Sequence, residues 1–357
     1  GFMYKLLLLL CLFAHAGRAQ QKDSVPAVAG SNIFKRTSFA VIPILAYNRS
    51  YGTSAGVLLN AFTKLSATDQ KSPPSRSSVG FGYTQNKSWF AMATQRLYIN
   101  EDKWRVFWAL GLGKSNFQFF EETDDMGNGV FVNYQTHARF FTTNVMYNIG
   151  GRWYAGLKYQ FSTSTTEFDI ENKPDETTRL SSWGIPVAFD NRDYVYYPAK
   201  GVIANLLLSD NAKWLGSDVA FTTFSVNVNH FISLKNKAIL ASRFFNYLGI
   251  GEVPFIGQKV VGGKDLRGYT KGTYRSDKVM ALQTEYRYNF YKKWGMVAFA
   301  GIASAFKYNG ISGSGLLPAG GAGIRYQILP KQKMNIGVDV AAGKDDWGIY
   351  FRIGEAF

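Results

Sequence analysis

Few residue types that perform enzymatic chemistry occur here in a useful arrangement. Of the three histidines, His15 lies in an apolar leader, and His137 and His230 lie too far apart to suggest the ligand spacing of a zinc site. The one Gly-x-Ser-x-Gly match, at 52–56, leads directly into an apolar, strand-like segment and not into the strand-to-helix turn that a nucleophile elbow needs. Gly262–Lys264 lacks the earlier glycine and the following Ser or Thr of a phosphate-binding loop. The sequence therefore predicts no catalytic residue, no metal site and no cofactor.

Charged residues instead gather with turn-forming residues in three polar stretches. The stretch "GGKDLRGY" at 262–269 sets an arginine among glycines, which permit tight backbone turns. The stretch "DNRDYVYYPAKG" at 190–201 combines Asp, Arg, Pro and Gly, and by itself suits an ordinary turn. An acidic run at 121–125 is more typical of a solvated loop than of a cation site. By themselves, these stretches indicate turns and loops.

The elements that position these stretches alternate apolar and polar residues with period two. At the carboxyl end, one face of a predicted strand over 346–357 is apolar and the other is small or polar. The apolar face consists of Trp347, Ile349, Phe351, Ile353 and Phe357. The same alternation occurs over 153–162, 223–229 and 334–340. Soluble sandwiches also alternate, so the pattern alone leaves both classes open.

Three further features favour a membrane barrel over a soluble sandwich. A leader resembling a signal peptide precedes the alternating segments, many of the eight Trp and 21 Tyr lie near segment ends, and the segments are long enough for tilted membrane strands. No apolar run after residue 19 approaches the length of a membrane helix. We therefore predict an all-β fold, a single 16-stranded antiparallel transmembrane β-barrel.

The first residues read as a secretory signal peptide. A lysine, an apolar run and small residues predict a signal peptide over 1–19, with Gly1 and Phe2 non-native or upstream. Cys11, the only cysteine, lies within it, so the mature chain is expected to carry no disulfide and no lipid anchor. A short periplasmic segment over 20–37 then leads into a barrel over 38–357.

The links between predicted strands alternate between short and long, as in bacterial outer-membrane barrels. Long outer loops are predicted at 115–129, 165–178, 250–276 and 307–318. Two links break the rule, because 64–77 is long on the short-turn side and 86–88 is short on the loop side. The even strand count places both ends of the barrel in the periplasm.

A closed barrel needs one seam between its first and last strands. Pro43 removes a backbone donor from the first strand, and Gly348 and Gly354 loosen the last. We therefore expect a weak seam, although Pro186 in the eighth strand shows that proline is not confined to it.

The formal charge of +15 also constrains the partners. For an exported protein, nucleic acid is excluded as an expected partner. Basic residues then face phosphate-bearing headgroups of outer-membrane lipid, including lipopolysaccharide, or line a polar cavity. Plain solubility is the simpler alternative.

Four motifs in the same order resemble the BamA/TamA superfamily of outer-membrane assembly and secretion barrels, the bacterial surface antigen family, over about residues 38 to 357. "LRGY" (Leu266, Arg267, Gly268, Tyr269, preceded by Gly263) lies between the eleventh and twelfth strands, where the family has an Arg-Gly-aromatic motif. The strand 8–9 turn matches the family at Asp190, Arg192, Asp193, Pro198 and Gly201. "GAGIR" at 321–325 and a terminal Phe357, taken as an assembly signal, complete the resemblance.

The chain departs from the family pattern in two places. The segment 20–37 is too short for a periplasmic POTRA domain, which puts family-type client recruitment in doubt. In the thirteenth strand, where the family often has Phe-x-Asp-x-Gly, Phe299-Ala-Gly301 offers no carboxylate.

The resemblance implies that Arg267 enters the barrel and meets an acid there. On the predicted twelfth strand, alternation places Gln283, Glu285 and Arg287 on the lumenal face. With no acid on the thirteenth strand, Glu285 is the one expected lumenal partner of Arg267. Alternatively, Glu285 and Arg287 neutralise each other while Arg267 stays solvated.

The resemblance further implies a role in outer-membrane protein assembly, in insertion or in polypeptide translocation. Other assembly or translocation subunits would then supply the periplasmic domains. A passive diffusion pore is the leading alternative, and an outer-membrane enzyme would need a Ser, His and carboxylate cluster that the sequence lacks.

Overall fold

The computed structural model describes residues 33–48, 52–122, 129–169, 174–269, 273–306, 315–329 and 333–357. The predicted signal peptide and most of the predicted segment 20–37 lie outside these residues. The described part begins with a 3₁₀ turn at Ile33–Arg36. No helix within it is long and apolar enough to cross a membrane.

Sixteen antiparallel strands close into a barrel, which confirms the predicted fold class. In chain order they are β1 (Thr37–Asn48), β2 (Gly52–Thr63), β3 (Ser75–Thr84), β4 (Trp89–Ile99), β5 (Trp104–Glu122), β6 (Gly129–Gly150), β7 (Trp153–Phe168), β8 (Glu176–Asp190), β9 (Gly201–Asn211), β10 (Phe221–Ser233), β11 (Ala238–Gly251), β14 (Lys278–Tyr291), β15 (Trp294–Phe306), β16 (Leu317–Leu329), β17 (Met334–Gly343) and β18 (Asp346–Ile353). Two short strands, β12 (Lys259–Val260) and β13 (Arg275–Ser276), pair with each other inside the connection from β11 to β14.

The two faces of each strand differ in the way that period-two alternation requires. On β14, Met280 and Leu282 are exposed on the outer face, whereas Gln283, Glu285 and Arg287 are buried on the lumenal face. Because backbone groups in lipid must be paired within the sheet, ladders around the barrel satisfy the donors while apolar side chains face outward. The interior is therefore a polar lumen, and its charged residues must find partners there.

The rim formed by the short turns contains the start of β1 and the end of β18, and we call it the inner rim. It faces the periplasm in barrels of this kind. The long link at this rim, 64–74, is ordered by Asp69, whose carboxylate accepts hydrogen bonds from Ser72 N (2.8 Å), Lys71 N (3.0 Å) and Glu101 N (3.0 Å).

Two of the predicted outer loops are wrong in length. The predicted loop 115–129 shrinks to 123–128, and 165–178 shrinks to 169–175, because β5, β6 and β7 continue as strands above the barrel wall. Polar residues such as Thr165 and Thr177 pair across these extensions, where their hydroxyls lie 3.0 Å apart. Cross-strand pairs of this kind stabilise a ladder outside lipid.

The seam between β1 and β18 is much shorter than the other ladder of β1. In the described residues, β1 pairs with β18 only at Tyr47 with Ile349 and at Asn48 with Gly348. By contrast, β1 pairs with β2 along its whole length, from Thr37 to Asn48. The β1–β18 ladder is therefore formed near the outer rim and is absent toward the inner rim.

The carboxyl end also differs from the sequence prediction, which extended the last strand to Phe357 with its ring on the apolar outer face. The strand ends at Ile353, because Gly354 adopts a left-handed conformation (φ 75°) that turns the chain. Glu355 then lies in the lumen, and the Phe357 carbonyl oxygen accepts a hydrogen bond from Arg287 Nη2 at 2.9 Å. The tail is drawn inward by buried arginines that need acceptors.

Candidate functional site

The connection from β11 to β14 folds into the barrel. Leu266 and Arg267 have no exposed surface, and Tyr269 is 1% exposed. Gly263 (φ 68°) and Gly268 (φ 105°) provide the left-handed turns that reverse the chain. A Cβ on Gly268 would lie 2.8 Å from the Ala342 carbonyl carbon, so only glycine fits this close approach.

Arg267 is the centre of the lumenal contacts made by this loop. Its Nη2 donates to Glu285 Oε2 at 2.6 Å, and its Nη1 donates to Asp339 Oδ2 at 2.7 Å. Its Nε donates to Gln283 Oε1 at 3.2 Å, and the guanidinium lies 3.3 Å from the centre of the Phe299 ring. A buried arginine needs an acceptor for each of its five N–H donors, and the contacts above provide acceptors for most of these donors.

The expectation of Glu285 as the one carboxylate partner is wrong, because Asp339 on β17 is a second. The alternative in which Arg267 stays solvated is also wrong, since Glu285 accepts hydrogen bonds from both Arg267 and Arg287 (2.6 Å each). Asp339 lies on the polar face of the alternating segment 334–340, which is the lumenal face of β17. Nothing in the sequence indicated that the loop reaches across to β17.

The ion pairs continue beyond Arg267 toward the seam. Asp339 also accepts from Arg325 and Arg352 (2.5 Å each), while Arg325 and Asn335 donate to Glu355 (2.9 and 2.8 Å). We call this set the lumenal network; its members are Arg267, Glu285, Arg287, Arg325, Asp339, Arg352 and Glu355. It joins the loop, β14, β16, β17, β18 and the inward tail into one electrostatic unit.

Glycines on the neighbouring strands make room for the network. A Cβ on Gly323, within the "GAGIR" segment, would lie 2.0 Å from Asp339 Oδ1, and one on Gly337 would lie 2.5 Å from Arg325 Nη1. Larger residues at either position would therefore separate Arg325 from Asp339. The glycines therefore matter because they leave room for the Arg325–Asp339 ion pair.

Leu266 and Tyr269 fix the two ends of the motif. Leu266 fills the space above Gly301, where a Cβ would lie 2.8 Å from Leu266 Cδ1. The Tyr269 ring covers Gly343, and its hydroxyl donates to the Pro318 carbonyl at 2.7 Å and accepts from Lys344 N at 2.9 Å. The thirteenth barrel strand (β15) thus offers a glycine for packing where the family often has an acid.

The turn after β8 forms a second ion-paired cluster at the inner rim. Asp190 accepts from Arg192 Nε (2.8 Å) and from Arg105 Nη1 (2.8 Å), and Asp193 accepts from the backbone N–H groups of Ala199 and Lys200. Pro198 is buried. Gly201 has φ 103°, and a Cβ there would lie 2.6 Å from the Asn191 carbonyl oxygen.

The same turn, 191–200, crosses beneath the lumen. The Tyr196 hydroxyl donates to the Pro74 carbonyl at 2.8 Å, near β3, and Asn289 on β14 donates to the Tyr197 hydroxyl at 3.5 Å. The turn therefore touches opposite walls of the barrel at the inner rim. Sequence reasoning placed its motif but missed Tyr196, for which no sequence signal exists.

No curated protein shows a significant sequence match to the chain. Two solved structures with similar folds are CdiB from Acinetobacter baumannii (TM-score 0.64, 12% identity, covering 89% of this chain and 59% of that chain) and BamA from Haemophilus ducreyi lacking POTRA domains 1-3 (TM-score 0.58, 12% identity, 98% and 77%). This chain thus spans less than two thirds of the CdiB chain. At this identity the likeness shows the fold alone.

The family is shown by a sequence model and not by these folds. The model of the Omp85 superfamily domain matches residues 63–357, from the end of β2 to the carboxyl end. That match spans most of the chain and contains every motif on which the resemblance rested. The chain belongs to the Omp85 superfamily, which confirms the predicted family.

Proposed function

We propose that this outer-membrane barrel inserts other proteins into the outer membrane, or passes polypeptides across it, through the seam between β1 and β18. The proposal rests on the difference in length between the two ladders of β1. The strand is paired along its length with β2 and at only two positions with β18 in the described residues.

A seam that is only partly hydrogen-bonded supports this function because the unpaired edge of a strand can pair with another strand. On the inner-rim side of Tyr47, residues 39–46 of β1 form no hydrogen-bonded ladder with β18. Unpaired backbone groups are costly at membrane depth, so an entering strand that pairs with this edge is stabilised. The step needs only exchange of hydrogen bonds, and no covalent bond is made or broken.

The lumenal network supports the same proposal by holding one side of the seam. Arg267 ties the loop to β14 and β17, and Arg352 of β18 donates to Asp339. We infer that β14–β18 remain one rigid wall while β1 moves away from β18. A gate with one fixed and one mobile edge can open without unfolding the barrel.

We further propose that the barrel works within a larger assembly. CdiB and BamA are among the similar structures, and the BamA structure is described as lacking POTRA domains 1-3, so POTRA domains belong to that protein outside the matched barrel. Subunits that bring clients to the inner rim would complete the function here, and outer-membrane lipid, including lipopolysaccharide, would surround the wall. Crosslinked pull-down from native membranes would identify those subunits.

A disulfide across the seam tests the function. The variant Tyr47→Cys with Ile349→Cys tethers β1 to β18, and the matched control Ile324→Cys with Val338→Cys tethers β16 to β17, which pair in an ordinary ladder. Both proteins, in liposomes, are scored for the rate at which a denatured test barrel folds into the bilayer. We expect acceleration over empty liposomes that the seam tether abolishes and the control tether leaves intact.

Acceleration unaffected by the seam tether would contradict a seam mechanism. The rival function, a passive pore, is disfavoured because the loop occupies part of the lumen and the 191–200 turn crosses its inner end. Steady single-channel conductance of the wild-type barrel, without any folding activity, would favour the pore.

A further inference from the structure

Two lumenal arginines on barrel strands stand apart from the paired ones. The lumenal arginines of the other described barrel strands, and Arg267 of the loop, each have a carboxylate within hydrogen-bonding distance; they are Arg105, Arg243, Arg267, Arg287, Arg325 and Arg352. Arg76 on β3 and Arg96 on β4 have no carboxylate partner within the described part of the chain.

The two residues are also direct neighbours. Arg76 and Arg96 are cross-strand partners in the β3–β4 ladder, on the lumenal face. Like charges directly opposite each other destabilise a sheet, and a guanidinium out of bulk water needs a compensating charge. Arg76 Nε donates to Ser78 Oγ at 3.0 Å, and the Arg96 guanidinium lies 5.3 Å from the centre of the Phe107 ring. Neither contact neutralises a charge.

A cavity of about 340 Å³ lies against this pair. Its remaining lining is part hydroxyl and part apolar: Ser78, Thr94, Leu58, Met92, Phe107, Val195 and Tyr196. Val195 and Tyr196 come from the 191–200 turn, and the Tyr196 ring packs edge-on against Phe62 at 5.4 Å. The turn therefore covers the arginine pair at the inner rim and gives the cavity a defined floor.

We propose that this cavity binds a phosphoryl group, either as free phosphate or as the headgroup phosphate of a small organic ester or lipid. Two guanidinium forks can each donate paired hydrogen bonds to phosphate oxygens, and together they balance a dianion. The Thr94 hydroxyl adds a donor, whereas the Ser78 hydroxyl already donates to Asn60 Oδ1 at 2.7 Å. Leu58, Met92 and Phe107 accommodate the carbon atoms next to the phosphate.

The size of the cavity restricts the ligand. A volume of about 340 Å³ lies at the small end of ligand pockets, so it suits a glycerophosphate-sized group, excludes folded acidic segments, and would leave the acyl chains of a lipid outside the cavity. This site is independent of the proposed seam mechanism, since it lies on β3 and β4.

Calorimetric titration of the purified full chain in a neutral detergent tests the proposal. The probes are inorganic phosphate, glycerol 3-phosphate and a short-chain phosphatidylglycerol, each against a chloride background. We expect saturable one-site binding that weakens about tenfold in Arg76→Gln and in Arg96→Gln, the loss expected for one charge-assisted contact. The control Arg139→Gln removes a charge opposite Leu112 on the outer face and should leave binding unchanged.

The three probes distinguish the source of the phosphate. Binding of inorganic phosphate alone identifies a free anion site, and tighter binding of either ester identifies a headgroup site. No saturable binding of any probe, or binding equal in wild type and both glutamine variants, would overturn the proposal. Heat-modifiable gel migration verifies folding, and Arg96→Lys, which keeps the charge, should retain part of the affinity if Arg96→Gln fails to fold.

Discussion

The two halves of the lumenal wall are built from the same alternating strands but are filled differently. Along β14–β18, the arginines meet carboxylates and the loop packs over them, so that Arg267 and Glu285 have no exposed surface. Along β3–β8, lumenal Phe90 and Phe140 remain 43% and 39% exposed, and Arg76 and Arg96 lack carboxylates in the described residues. Alternation places polar side chains in the lumen, but whether those side chains pack against each other depends on tertiary contacts.

The difference has consequences for what each half can do. A buried ion pair is costly to break because the remaining charge is left without compensation. The β14–β18 half is therefore suited to hold the loop and the wall beside the seam. The β3–β8 half keeps exposed lumenal side chains and, within the described residues, two arginines without a carboxylate, which suits an anionic ligand.

The largest effect should come from charge reversal at the centre of the packed half. Arg267→Glu would place a third carboxylate against Glu285 and Asp339, and we expect the free energy of unfolding to fall by about 4 kcal/mol. The temperature of the heat-modifiable gel transition should fall with it. Adding Glu285→Arg should restore part of the loss; a double variant no more stable than the single one would refute the Arg267–Glu285 pairing.

The next effect tests the close approach of the loop to β17. Gly268→Ala should lower stability by about 3 kcal/mol, since it combines backbone strain at φ 105° with a Cβ 2.8 Å from Ala342. Gly216→Ala is the matched control, because Gly216 has φ 89° but a Cβ there would meet no neighbouring atom within 4 Å. It should cost about 1 kcal/mol by the same gel transition. Equal losses would mean that packing against Ala342 is unimportant.

A matched pair of glutamines compares the two halves directly. Gln283 accepts from Arg267 Nε at 3.2 Å in the packed half, so Gln283→Ala should cost about 2 kcal/mol by leaving a buried donor unpaired. Gln160, a lumenal residue of β7 in the open half, makes no side-chain hydrogen bond within the described chain, and Gln160→Ala should cost less than about 0.5 kcal/mol. Chemical denaturation of both variants measures the difference, and similar losses would erase the contrast.

The smallest effect concerns the inner rim beside the open half. Hydrogen bonds from Ser72 lower the pKa of Asp69 from its usual 3.8 to about 2. A depressed pKa stabilises the 64–74 turn above pH 3.8, and this contribution disappears as the pH falls through about 2. Hydrogen exchange at the Ser72 amide, corrected for intrinsic rates, should therefore rise across that window.

The control for that experiment is a turn held by a neutral acceptor. The Gly150 amide donates to Asn148 Oδ1 at 2.9 Å, and its protection should not change over the same pH range. Parallel losses at Ser72 and Gly150 would indicate global unfolding and would contradict a local role for the Asp69 carboxylate.

Much of the architecture could be predicted because its cause is local. The alternating segments 153–162 and 334–340 lie within β7 (Trp153–Phe168) and β17 (Met334–Gly343), since alternation is read from neighbouring residues. The last strand was predicted too long, because Gly354 allows both a strand and a turn. Only the lumenal acceptors of the tail decide between the two.

The candidate site likewise has features that local sequence predicts and features that it does not. Alternation placed Glu285 on the lumenal face, and the glycines around Arg267 indicated a loop able to reverse direction. The pairing with Asp339, 72 residues away, depends on how far the loop crosses the barrel, which no local pattern encodes. The same holds for Tyr196 beneath the lumen.

Local sequence patterns were enough to predict the number of barrel strands, the lumenal face of strand residues such as Glu285 and the family of this protein, because period-two alternation, turn residues and short motifs are read within a few residues of each other. Which lumenal charges meet, where the seam loses its ladder and which half of the lumen stays open could be learned only from the folded barrel. Those outcomes depend on barrel closure, which brings distant strands together, and on the desolvation cost that makes each buried charge require a particular partner.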